Sequence, residues 1–166
     1  GGYPGAYPLI KKREDWLQYM KASIIDTVIG KDILNLVRVK SPALFKQCFE
    51  IAMQYAGQEI SYTKLLGQLQ DKGNTDLIKN YLENFEGAFL LKQIFKYSNK
   101  AVIRKSSSPK ILAYCPALYS VFLDADLNAE EKGRSFEVIV GSHLSQLPGE
   151  LYYWRERNYE VDYIYK

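Results

Sequence analysis

Lys92, Lys96, Lys100, Arg104, Lys105 and Lys110 fall between Gly87 and Leu123, a stretch without an acidic residue. Ammonium and guanidinium groups gathered in this way attract phosphate. If all six met a nucleic-acid backbone, binding would weaken with salt at a log–log slope of roughly −5. The alternative is that they solvate an exposed hairpin or face another protein module. Other chemistry has less to work with. His143 has no second histidine or cysteine near it in sequence, Ser106-Ser107-Ser108 has no base to activate it, and Cys48 sits among apolar helical residues while Cys115 precedes Pro116. Two cysteines and one histidine are too few for a disulfide framework or a zinc site, and point to a reducing interior.

The six basic residues need a ribbon to carry them, and the sequence predicts one behind two helices. Ser61 can cap a helix bearing Leu65, Leu66 and Leu69, with Gly73 ending it. Asn74 can cap a second helix, in which Leu77, Ile78, Tyr81, Leu82 and Phe85 share one side and Gly87 stops the run. From Phe89 the pattern becomes strand-like through Ile94, Phe95 and Tyr97, turns at Ser98-Asn99-Lys100, and resumes at Ala101-Val102-Ile103. This is a helix-turn-helix followed by a two-stranded wing. Its second helix would enter the DNA major groove, yet that helix carries Asp76, Glu83 and Glu86 against Lys79 alone, a face that repels phosphate. A winged helix with such a face suits a protein partner as well as duplex DNA.

The rest of the chain supplies the frame. Glu14 to Leu36 places Trp16, Met20, Ile24, Val28 and Ile29 near helical spacing, with Gly30 as the expected break. Ser41-Pro42 starts a helix through Leu44, Phe45, Cys48, Phe49, Ala52 and Tyr55, and Gly57 ends it. After the wing come an extended piece from Pro109 to Tyr114 and a helical turn opened by Pro116. Asn128 caps a helix whose first turn holds Glu130 and Glu131 and which runs through Phe136 to Leu144. Leu151 to Trp154 and Tyr159 to Tyr165 make a hairpin. The chain of 166 residues, 47 % apolar and 14 % aromatic with a net charge of +3, reads as a globular α+β protein, mainly helical. No apolar run approaches the roughly 20 residues of a membrane span and no secretory peptide opens the chain, so the expected location is cytoplasmic.

Gly1-Gly2-Tyr3-Pro4, Asp32-Ile33-Leu34, the helix-turn-helix, Ser108-Pro109-Lys110-Ile111, Gly133-Arg134-x-x-Glu137 and Tyr153-Trp154-Arg155 with Glu160-Val161-Asp162-Tyr163 follow one another in an order that carries a resemblance. Together they resemble the C-terminal domain of unknown function of a prokaryotic family of AAA-type P-loop ATPases. The resemblance implies residues 1–40 as a helical linker from a missing N-terminal ATPase module, 41–123 as the winged helix-turn-helix domain, and 124–166 as a truncated PD-(D/E)XK nuclease-like helix and β-hairpin. It implies ATP and magnesium for the missing module; this fragment itself has no P-loop and is expected to need no cofactor. Where the family carries an aspartate after the Pro-Lys-Ile strand, this chain has Cys115-Pro116.

In a nuclease of that fold, magnesium is held by an acid on the first helix, an aspartate on the hairpin and a following Glu-x-Lys. Glu137 and Asp162 match the first two as catalytic and metal-ligand candidates; the third would lie past Lys166. The competing reading pairs Glu137 and Glu160 or Asp162 with Arg134, Arg155 or Arg157. The function expected from sequence is therefore a noncatalytic docking module for double-stranded DNA or a partner protein, the alternative being a metal-dependent nuclease-like domain with an incomplete site. The last strand is expected to leave an open edge through which the fragment can dimerise.

Overall fold

The computed structural model describes residues 2–34, 39, 41–69, 73–100 and 106–166. Ala101 to Ile103, expected as the returning wing strand, lie outside them, as do Arg104 and Lys105. After a 3-10 turn at Pro4–Leu9 comes α1, Arg13–Tyr19, which runs on without interruption into wider π-type turns at Met20–Ile25 and Val28–Ile33. The residues buried there are Met20, Ile25, Ile29 and Ile33, spaced five, four and four apart. That is wider than the 3.6 of an α-helix, so loosening the turn keeps them on one side. Gly30 therefore does not break the helix, contrary to the sequence expectation.

Four caps start the helices where the sequence places them. The Ser41 hydroxyl accepts from the Leu44 amide at the head of α2, Pro42–Gln54, and Ser61 does the same for Lys64 in α3, Tyr62–Gly67. Asn74 accepts from Leu77 in α4, Thr75–Gly87. After α5, Pro116–Ser120, a reciprocal capping box between Asn128 and Glu131 opens α6, Ala129–Leu144. The end of α4 differs from expectation. Gly87 is still helical, and the chain leaves the helix at Phe89, whose φ is 56°, with Phe89 N donating to Glu86 O and Leu90 N to Phe85 O. The strand accordingly starts at Leu91 rather than Phe89.

Among the described residues four strands form one sheet in the order β2-β1-β3-β4: β1 is Leu91–Lys96, β2 Lys110–Ala113, β3 Leu151–Glu156 and β4 Tyr159–Tyr165. β1 pairs antiparallel with β2 and parallel with β3, and β3 pairs antiparallel with β4. A short extended segment before α3 lies on the other side of β2, where Glu59 bridges Lys110 and Ile60 N donates to Pro109 O at 3.0 Å. The fold is α+β and mostly helical.

The core is built from rings. Phe45 on α2 meets Tyr81 and Phe85 on α4 with centroids 4.8 and 4.3 Å away, and Phe49 lies 5.4 Å from Phe85. A second, smaller cluster of Ile94, Leu112, Leu151 and Tyr153 lies beneath the C-terminal hairpin, with Leu144 and Tyr163 packed against it. β2 divides the two: Ile111 and Ala113 belong to the helical core, while Leu112 belongs to the smaller cluster. Side chains alternate along a strand, so Lys110 shares the face of Leu112. Among the described residues no helix is long and apolar enough to cross a membrane.

Candidate functional site

Lys110 is buried to 2 % exposure, and its ammonium is surrounded by charged groups. Two elements, α6 and β4, supply its partners. Its ammonium contacts Glu137 Oε1 from α6, lies 2.9 Å from Asp162 Oδ1 and 4.0 Å from Glu160 Oε1 on β4, and sits 5.2 Å from the centre of the Tyr163 ring. Burying an ammonium is costly without partners, and carboxylates on two separate elements make it tolerable here.

Local structure explains how the acids reach it. The β3–β4 register shifts between Tyr152 and Trp154, a bulge that accommodates an extra residue in β4 opposite Tyr153. Asp162 and the neighbouring Tyr163 can thus both contact the Lys110 side of the sheet, and the Tyr163 hydroxyl donates to the Glu137 carbonyl at 2.9 Å. Gly141 gives that ring its place, because a β-carbon there would stand 2.6 Å from Tyr163 Cζ. Across the cleft Arg155 on β3 reaches Glu59 at 3.2 Å and Glu160 at 3.7 Å, and Arg134 pairs with Glu130 at 2.7 Å. These groups line a polar cleft of about 430 Å³.

The two carboxyls touching Lys110 respond to it differently. Burial pushes Glu137 above its ordinary value, and the hydrogen bond and charge of Lys110 only partly reverse this. Burial acts on Asp162 too, but there the hydrogen bond and charge of Lys110 win and hold the carboxyl below its ordinary value. Exposure separates them: the Asp162 side chain is 51 % exposed and that of Glu137 23 %.

By sequence Lys110 is one of six basic residues open to phosphate. The structure corrects this, because it faces inward among acids as strand alternation requires. Of the others, Lys100 is exposed, Lys92 and Lys96 are half-buried, and Arg104 and Lys105 fall outside the described residues. Of the arginine pairings expected, that of Glu160 with Arg155 forms, while Glu137 and Asp162 are taken by Lys110 and Arg134 takes Glu130. The signal available in the sequence is a lysine at the head of the apolar run Ile111-Leu112-Ala113, directly after Pro109, which needs an acid from elsewhere.

The residues do not suit the divalent ion that a nuclease reading implies. An ammonium stands between Glu137 and Asp162, and among the described residues no group of three or more His, Cys, Asp or Glu is placed to hold a metal. His143 is exposed and its Nδ1 lies 2.8 Å from the Ile139 carbonyl; Cys48 is fully buried, which pushes its thiol up to about 12.

The acidic face of α4 is narrower than the sequence suggests. Asp76, Lys79, Asn80 and Glu83 are exposed, with Lys79 3.9 Å from Glu83. Glu86 instead turns inward, where Gln93 donates to it at 3.3 Å and itself accepts from the Tyr62 hydroxyl at 3.1 Å. A second cleft, about 910 Å³, involves other residues; Tyr3, Tyr7, Trp16 and Ile139 line it, and the Arg13 guanidinium on its wall donates to the Leu123 carbonyl.

Comparison with known proteins gives a family without an activity. The chain is 28 % identical over 171 residues to an uncharacterized protein of Methanocaldococcus jannaschii, an alignment covering 96 % of this chain and 37 % of that protein. No solved structure matches. Residues 1–129 match the model of a domain of unknown function, DUF8612, and the chain belongs to that family.

Proposed function

We propose that this chain is a noncatalytic docking module of winged-helix type whose partner is a protein. The observation that carries the choice is the open face of α4, where Asp76 and Glu83 outnumber a Lys79 already paired with Glu83. The order α2, short strand, α3, α4, β1, loop, β2 supports the winged-helix part, since the short strand at Glu59 bridges β2 as a third strand. In that architecture α4 is the element offered to a partner, and an acidic surface there disfavours a phosphate backbone. The chain spans 37 % of its archaeal relative's length, which leaves room for further modules in a longer protein. The ATPase implied by the sequence resemblance is one candidate for the module that moves this one.

Two measurements test the reading. In a fluorescence-anisotropy titration with a short labelled duplex at two salt concentrations, no saturable binding is expected at near-physiological salt. Salt-sensitive binding that disappears on combining Lys100→Glu, Arg104→Glu and Lys105→Glu would move the partner from protein to nucleic acid and the contact to the loop after β1. With supercoiled plasmid and magnesium or manganese, no nicking is expected. Cleavage abolished by Glu137→Ala would overturn the noncatalytic assignment and restore the nuclease-like one.

A further inference from the structure

The C-terminal hairpin touches both ends of the basic loop through a single residue. On the way into the loop the Tyr97 amide donates to the Tyr153 carbonyl at 2.6 Å; on the way out the Tyr153 hydroxyl donates to the Ser108 carbonyl at 2.7 Å. The Tyr97 and Tyr152 rings meet edge to face 5.7 Å apart. Yet the parallel pairing of β1 and β3 covers only Phe95 with Tyr152 and Lys96 with Tyr153. The apolar support beneath is the small cluster of Ile94, Leu112, Leu151 and Tyr153 with Leu144 and Tyr163 packed against it, distinct from the ring-rich core of the helices.

With so few apolar contacts, charge is the other large attachment. Lys110 faces Glu137 from α6 and Glu160, Asp162 and the Tyr163 ring from β4; Arg155 from β3 faces Glu59 next to α3. Apart from the contact of Glu137 with Lys110 and that of Arg155 with Glu160 within the hairpin, each of these links ties the end of the chain to β2 or to the strand beside it.

We propose that the β3–β4 hairpin is a clamp on the chain around Tyr97 and Ser108, locked by the Lys110 ion cluster, so that neutralising the cluster releases residues 94–100 and 106–109 together with the hairpin while the helical body stays folded. Two separate cores make such partial opening possible, because the hairpin can leave one without disturbing the other. The inference does not rest on the docking reading, since it concerns the motion of the chain alone.

Hydrogen exchange of the whole chain, read by mass spectrometry, tests it with Lys110→Met and Asp162→Asn against the unaltered protein. Amides in 94–100, 106–109 and 151–165 are expected to exchange about tenfold faster in both variants, while those in α2 and α4 keep their protection. Unchanged exchange in the loop base and hairpin would overturn the proposal. So would an equal acceleration in α2 and α4, which would make the cluster part of one cooperative core. Should Lys110→Met fail to fold, Asp162→Asn decides the matter by the same comparison, because its side chain is half exposed and its loss is milder.

Discussion

Lys110→Met is expected to weaken the attachment of the C-terminal hairpin by about 2–4 kcal/mol at neutral pH, the range for a buried charge pair that loses one partner, reduced because Asp162 and Glu160 are partly solvated. Methionine fills the space of the lysine stem but leaves Glu137 beside Asp162 with no cation between them. Trp154 on β3 reports the loss: in a Trp16→Phe background, its fluorescence transition in urea should move to lower denaturant. The pH dependence gives a second signature, whose sign follows from the two carboxyls. Asp162 is held below its ordinary 3.8, so its contribution is present above that value and is lost as pH falls through the depressed one. Glu137 is raised above its ordinary 4.5, so its contribution is full below that value and is lost as pH rises through the raised one. The cluster in the unaltered protein is therefore most stabilising in mild acid. In Lys110→Met the penalty should shrink as pH falls and the acids protonate; a penalty independent of pH would mean that lost packing, not lost charge, causes it.

Phe85→Ala is expected to cost about 3–5 kcal/mol and to unfold the helical body or leave it marginal. Phe85 is fully buried and its ring lies between those of Phe45 and Phe49, so truncation opens a cavity where α4 meets α2. A urea melt followed by far-ultraviolet circular dichroism measures this. Phe85→Leu should recover much of the loss because it restores most of the volume. If Phe85→Ala instead shifted only the Trp154 signal, the division between the helical core and the hairpin cluster would be wrong.

Local signals in the sequence identify the starts of the helices. Ser41, Ser61, Asn74 and Asn128 each cap the helix expected of them, because a side-chain acceptor two or three residues before an apolar run acts over a few ångströms and few residues. The ends are less legible. Gly30 and Gly87 look like stops, yet one lies within a widened helical turn and the other in the last turn of α4, where Phe89 takes the left-handed position that glycine usually fills. The candidate site is the least legible part. Lys110 reads as one basic residue among several, and Asp162 is 52 residues further on, so composition alone cannot show that they neutralise each other. Glu86 misleads for a related reason: its helical position suggests water, but Gln93 on the next strand provides a partner that draws it inward.

β2 separates an aromatic interior from one in which a few apolar side chains stand beside an ion cluster, across the width of a single strand. A slip of one residue in its pairing with β1 would exchange its two faces, thrusting the ammonium of Lys110 among phenylalanine rings and Ile111 among carboxylates. Both halves of the protein would reject that arrangement at once, so the strand carries its own proofreading. Relatives can therefore be expected to lengthen or shorten the segment joining β1 to β2 freely, while the phase of the four residues from Lys110 to Ala113 stays fixed.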